Sequence, residues 1–244
     1  MTIASKTGYL NQLQKPLPIT HYQQLHKSDT TMTQIFLIRH GETHWNSEGR
    51  IQGHLDSPLT GTGLAQAKAL ATRLKSQSFS AIYSSDLGRA YQTAQCLAEP
   101  HQLEIQTDSR LRERHLGIFQ GLLKQELQLK FPDEFHHYHT HHADHAILDG
   151  ESPRQFSDRC IKCFEELSDK HPDQRLLVVA HGGVLNNLLK HTLGITLEAP
   201  RHFLSINTAI NIFSHHHNSS WMLETWGDVN HLQNLKSDDF SEDE

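Results

Sequence analysis

Apolar positions in this chain fall into short runs separated by amphipathic stretches. Residues 35–38 form an unbroken apolar run (Ile-Phe-Leu-Ile) and read as a buried central strand. After a turn, residues 60–75 carry Leu64, Ala67, Leu70, Ala71 and Leu74 on one helical face, with Thr60 or Thr62 as the cap. Residues 81–83 predict a second strand, 89–97 a helix, and 103–105 a third strand. A helix over 152–168 has Phe156, Cys160, Cys163, Phe164 and Leu167 as its stripe. Residues 176–180 are the most strand-like run, and the helix over 184–192 is stopped near Gly194. Residues 203–213 and 221–226 read as two late strands joined by a polar turn. The most loop-like interior stretch, a histidine-rich insertion, is about 132–151.

This alternation predicts one α/β domain: a three-layer α/β/α sandwich with a mostly parallel sheet covered by helices on both faces. Ligands in such folds sit beyond the carboxyl ends of the strands. At 244 residues the chain can bury one full core. Residues 1–31 show neither periodicity nor the apolar core of a secretory signal. The folded domain is expected over 32–235, with 1–31 a flexible extension or an over-extended start.

Three cysteines are too few for a disulfide scaffold and favour a reducing compartment, so a cytoplasmic location is expected. No stretch approaches the roughly 18 apolar residues of a membrane span. Residues 1–31 carry +2 and the acidic tail 236–244 carries −4, which leaves −4 of the formal −6 for the body. An acidic body is a poor partner for nucleic acid. An anionic ligand would need a few local arginines.

The segment after each predicted strand carries chemistry. Arg39-His40-Gly41-Glu42-Thr43 follows the first, Ser84-Ser85-Asp86-Leu87-Gly88-Arg89 the second, Arg110-Leu111-Arg112-Glu113-Arg114 the third, and His181-Gly182-Gly183 the run 176–180. Carboxyl ends of parallel strands share one edge, so two histidines, two arginines and a glutamate are expected to converge. Guanidinium forks match phosphate oxygens. A neutral imidazole is a nucleophile, a second steadies developing charge, and a carboxyl group protonates a leaving alcohol. Glycines beside both histidines are expected to let the backbone approach a ligand.

At these residues the chain resembles the histidine phosphatase superfamily, the branch containing phosphoglycerate mutases and related phosphatases. L-I-R-H-G-E-T-H-W-N at 37–46, S-S-D-L-G-R-A-Y-Q-T-A at 84–94, L-R-E-R-H-L-G-I-F-Q-G at 111–121 and V-V-A-H-G-G-V at 178–184 follow in the family's order over about 33–227. The resemblance implies a phosphoglycerate mutase-like fold with His40 as phosphorylated nucleophile. It implies that Arg39, Arg89, His181 and Gly182 line the phosphate pocket with Asn46, and that Gln52 and Gly53 add polar contacts. Glu113 becomes the proton donor to the leaving group and then the base for water. No metal or other cofactor is required, since the cations and His181 supply the charge stabilisation, and the expected partner is a small phosphorylated metabolite.

Three features invite other readings. Arg112 and Arg114 could simply form a surface ion pair with Glu113. His136, His137, His139, His141, His142 and His145, with His215–His217, suit adventitious metal, but no cysteines or patterned carboxylates accompany them, so a polar loop is expected. Cys160 and Cys163 spell C-x-x-C inside a helix stripe, where that spacing shares a buried face. Among activities, Lys124 falls where mutases place a substrate lysine. Against a mutase, Leu116 replaces a tyrosine, no Arg-Arg pair follows, and Asp149-Gly-Glu-Ser152 resembles the phosphatase branch. A phosphomonoesterase is therefore expected over a mutase, and an enzyme over a non-catalytic binding module, because His40, His181, Arg39 and Arg89 are all present.

Overall fold

The computed structural model describes residues 32–140, 142–216 and 221–233. The expected N-terminal extension, the acidic tail, His141 and His217 lie outside the described residues. Six strands, β1 (Met32–Arg39), β2 (Ala81–Ser84), β3 (Ile105–Thr107), β4 (Arg175–Ala180), β5 (Ile210–His216) and β6 (Trp221–Asp228), form one sheet. Their order is β3-β2-β4-β1-β5-β6; the first four run parallel, β5 pairs antiparallel with β1, and β6 antiparallel with β5. The helices are α1 (His44–Ser47), α2 (Gly61–Leu74), α3 (Gly88–His101), α4 (Lys124–Lys130), α5 (Pro132–His139), α6 (Pro153–Lys170) and α7 (Gly182–Leu193).

Strand alternation sends side chains into two cores. Ile35, Leu37, Leu176 and Val178 pack with Phe156, Cys160, Phe164, Val184 and Leu188 of α6 and α7. Phe36, Ile38, Leu177 and Val179 pack with Leu70, Leu74, Ala94 and Leu97 of α2 and α3. This is the three-layer arrangement expected of continuous apolar strands. The helices begin where capping chemistry dictates: the Thr60 side chain accepts from the Gly63 N–H, and Ser152 forms a capping box with Gln155 ahead of Pro153. Gly194, left-handed at φ +65°, ends α7. Cys160 and Cys163 are free and buried in the first core.

Four local expectations are corrected. The stretch 132–151 contains α5, with Pro132 in its first turn. Phe131, Phe135 and Tyr138 pack on Phe119, Leu127 and Ile147 as a third, smaller core. Intervening histidines masked that aromatic spacing. The expected strand over 203–213 begins only at Ile210, because β1 ends at Arg39 and offers no ladder beyond the Ile38 pairing. Upstream, Thr208 takes φ +57° and donates its N–H to the Arg39 carbonyl. The third strand lies at Ile105–Thr107, two residues later than expected, where Ile105, Gln106 and Thr107 pair with β2. Leu64 is 41% exposed and Gln66 is fully buried in its stead, its Oε1 accepting the Glu42 N–H at 2.9 Å.

Phe164 is fully buried and meets Trp221 edge to face at 6.2 Å. Phe164→Ala is expected to cost about 3–5 kcal/mol, read as a lowered urea midpoint with little change in slope.

Candidate active site

Three neighbouring strands set the site. The ladder between β1, β4 and β2 runs one residue past its ends: the His40 N–H donates to the Ala180 carbonyl and the Ser85 N–H to the Val179 carbonyl, both at 3.0 Å. His40, His181 and Ser85 are therefore brought together at the carboxyl edge. The two imidazole centroids are 5.2 Å apart at 59°, although 141 positions separate them in sequence. His40 is 3% exposed, His181 0% and Arg89 1%.

The hydrogen bonds select tautomers. His40 Nδ1 lies 2.8 Å from the Gly41 carbonyl, which accepts only, so Nδ1 carries the proton and Nε2 keeps its lone pair. The Ser85 hydroxyl oxygen accepts the Leu87 N–H at 3.3 Å and lies 2.8 Å from His181 Nε2. Ser85 is thereby free to donate to Nε2, which places the His181 proton on Nδ1, a buried nitrogen without a protein partner. Burial, and then Arg89 and Arg39, hold the His40 pKa well below the ordinary histidine value. Burial, followed by Arg89 and His40, does the same to His181. Both rings are thereby held neutral at pH 7.

Arg89 is fixed from three sides. Its Nη1 donates to the Leu55 carbonyl at 2.9 Å and Asp56 Oδ1 at 3.0 Å, and its Nη2 to the Gly53 carbonyl at 2.7 Å. Its Nε is buried with no protein partner. Burial lowers the Arg89 pKa while Asp56 and Glu113 oppose the shift. Arg39 Nη1 donates to the Ser205 carbonyl. Glu113 Oε2 accepts the Gly183 N–H at 2.9 Å and Oε1 the Arg114 N–H at 2.8 Å. The surface ion-pair reading of Glu113 does not hold, because Arg112 grips Asp86 at 2.7 and 2.5 Å and Arg114 Nε donates to the Glu151 carbonyl.

The remaining expected residues take less direct places. Thr43 gathers Asn46 and Gln52: Asn46 Oδ1 accepts from the Thr43 N–H at 3.1 Å, and Gln52 Nε2 donates to Thr43 Oγ1 at 2.9 Å. Gly53, at φ +56°, gives its carbonyl to Arg89. Gly182 opens α7 against Arg39, whose Nε lies 3.7 Å from where a Cβ would stand. Lys124 is exposed at the start of α4, its N–H bonded to the Gly49 carbonyl. Close packing within the protein itself requires glycine at two positions near the histidines. A Cβ on Gly41 would stand 2.5 Å from the Gly63 carbonyl oxygen, and one on Gly183 would stand 2.1 Å from Glu113 Oε1.

Sequence reasoning did not assign roles to Ser85, Asp56, Asn207, Glu151 or Arg159. Asn207 Nδ2 donates to the His40 carbonyl at 2.6 Å from a segment read as strand. Ser85 carried the same signal as the histidines, the residue just past a strand end. Asp56 carried none.

A covered α/β sheet thus brings two neutral imidazoles and a buried guanidinium together at its carboxyl edge. The chain belongs to the histidine phosphatase superfamily (branch 1), whose sequence profile matches residues 35–229. It is 40% identical over 208 residues to phosphoglycerate mutase-like protein 4 of Arabidopsis thaliana, covering 84% of this chain and 89% of that one. It is 39% identical over 215 residues to a metal-independent phosphoserine phosphatase of the same plant, covering 86% and 87%. Among solved structures, mycobacterial glucosyl-3-phosphoglycerate phosphatase superposes with a TM-score of 0.69 at 31% identity, covering 80% of this chain and 99% of that one.

Ser85→Ala removes the donor that fixes the His181 tautomer. It is expected to reduce phosphate-ester turnover about 5–30-fold, a loss of about 1–2 kcal/mol, with the melting temperature nearly unchanged. The pH response of stability has a definite sign. Below the ordinary histidine pKa of 6.5, the unfolded chain binds protons that His40 and His181 refuse in the folded state. Their contribution is complete above pH 6.5 and is lost as the pH falls toward their folded values. The melting temperature is therefore expected to drop between pH 7 and 5, with a shallower slope in His40→Ala.

Proposed function

We propose that the protein is a metal-independent phosphomonoesterase that hydrolyses a small phosphorylated metabolite through a phosphohistidine at His40. The observation that carries this reading is the His40 tautomer: a buried, neutral ring whose Nε2 lone pair is left open beside His181 and Arg89. In the first step Nε2 attacks phosphorus, the ester P–O bond breaks, and protonated Glu113 gives its proton to the departing alcohol. In the second, Glu113 takes a proton from water, the water oxygen bonds phosphorus, the P–N bond breaks, and inorganic phosphate leaves. Arg39, Arg89 Nε and His181 Nδ1 hold the equatorial oxygens, with Asn46, Gln52 and Gly182 at the pocket wall. Names of relatives support hydrolysis, one of them called metal-independent.

A mutase is the second reading, favoured by relatives carrying that name and by the position of Lys124. It must shield a bisphosphate from water with fixed cations at the far end of the substrate. Residues 125–151 contain no arginine, and Lys130 is spent on Glu126 at 2.7 Å. That shortage favours hydrolysis. We also place the enzyme in the cytoplasm. Among the described residues, no helix is long and apolar enough to cross a membrane.

p-Nitrophenyl phosphate should be hydrolysed in the presence of EDTA, the reaction blocked by vanadate and absent in His40→Ala. Glu113→Gln should keep vanadate affinity and slow turnover of alkyl phosphates such as phosphoserine about 10²–10⁴-fold. Loss of activity with EDTA would remove the metal-free mechanism. Interconversion of 2- and 3-phosphoglycerate faster than phosphate release would establish the mutase.

A further inference from the structure

Glu113 sits in a loop from Arg110 to His115 that is irregular apart from one short turn at Ser109–Leu111. Such a loop cannot hold a proton donor steady by its own backbone hydrogen bonds. It is fastened instead by a side chain from α6. The Arg159 guanidinium spends all five of its N–H donors there. Its Nε donates to Glu151 Oε2 at 3.0 Å, and Nη2 to Glu151 Oε1 at 2.6 Å. Nη1 donates to the Arg110 and Arg112 carbonyls at 2.7 and 2.9 Å, and Nη2 also to the Glu113 carbonyl at 2.8 Å.

Glu151 closes the clamp from the other side. Its Oε1 accepts the His115 N–H at 2.8 Å, its own N–H donates to the His115 carbonyl at 2.9 Å, and its carbonyl accepts from Arg114 Nε at 2.9 Å. The guanidinium lies 4.6 Å over the Phe156 ring, and the edge of that same ring packs where Gly183 leaves space for the Glu113 carboxylate. The Glu113 carbonyl receives a second donor from His54 Nε2 at 2.8 Å. Three carbonyls and a bidentate carboxylate need the planar fork of an arginine. A lysine ammonium has three donors radiating from one point and fits only a fraction of them.

We propose that Arg159 and Glu151 are a positioning pair for the proton donor: they hold the 110–115 loop so that the Glu113 carboxylate rests on the Gly183 N–H beside His40 and His181. The inference rests on the reading of Glu113 as general acid. Neither residue reaches the phosphoryl group. Their effect falls on the step that needs a proton delivered to the leaving oxygen, where a shift of about 1 Å costs up to about 100-fold.

That assignment predicts a dependence on the leaving group. p-Nitrophenolate departs with little help from an acid, whereas the alkoxides of phosphoserine and glycerol 2-phosphate depart only when protonated. Arg159→Lys and Glu151→Gln should lower kcat/KM for the two alkyl esters about 10–100-fold. The same variants should lower it less than about threefold for p-nitrophenyl phosphate, with vanadate inhibition unchanged. kcat/KM is the readout because it ends at departure of the alcohol and excludes the hydrolysis of phosphohistidine. Equal losses on all three esters, no loss on any, or failure of both variants to fold would each overturn the proposal and leave the pair a structural brace. Glu113→Gln run alongside separates the two layers. If it treats the esters alike, the acid role itself fails; if it separates them and the clamp variants do not, only the clamp is wrong.

Discussion

The parallel register of β2, β4 and β1 is the constraint on which the site depends. Arg39 pairs with Ala180 and Ser84 with Val179, so the next residue of each strand leaves the sheet at the same edge. A slip of one residue in any of the three would turn a site side chain to the opposite face. The register is fixed by two cores at once, since successive residues of β1 and β4 alternate between the α6–α7 layer and the α2–α3 layer. Packing on both faces of the sheet is thereby converted into the 5.2 Å spacing of two imidazoles.

Electrostatics then does what the backbone cannot. Burying Arg89 is costly unless its donors are met. The Asp56 carboxylate and the carbonyls of Leu55 and Gly53 meet three of the four on its two Nη atoms and leave Nε unspent. Burial first, and then the same cation, hold protons off both histidines, so a fixed positive charge and two neutral rings share one buried site. Thr60 supports this arrangement from outside. It caps α2 with its side-chain oxygen, donates to Glu42 Oε1 at 2.5 Å, and so ties the loop after His40 to a helix.

Much of this was legible in the sequence because the signals were local. Apolar runs marked β1, β2 and β4, and what followed each run marked His40, His181 and the Arg89 turn. Apart from α5, whose aromatic spacing the histidines masked, the main failures share one physical origin, partners distant in sequence. Residues 203–209 have strand-like composition, yet β1 ends before they arrive, so Asn207 and Thr208 bind its last residues instead. Gln66 sits on a helix face that reads as apolar because its amide serves Glu42, 24 positions earlier. Arg159 belongs to a long helix whose apolar stripe says nothing of it, because its targets lie 46 to 49 residues upstream.

The small aromatic core of Phe119, Phe131, Phe135, Tyr138 and Ile147 is separate from the two cores that flank the sheet. Side chains there can be exchanged without disturbing strand register, so that segment is free to diverge while the paired strands that set His40 beside His181 keep their spacing. Such a division of labour leaves about thirty residues whose packing can be rebuilt with no cost to the alignment of the central strands.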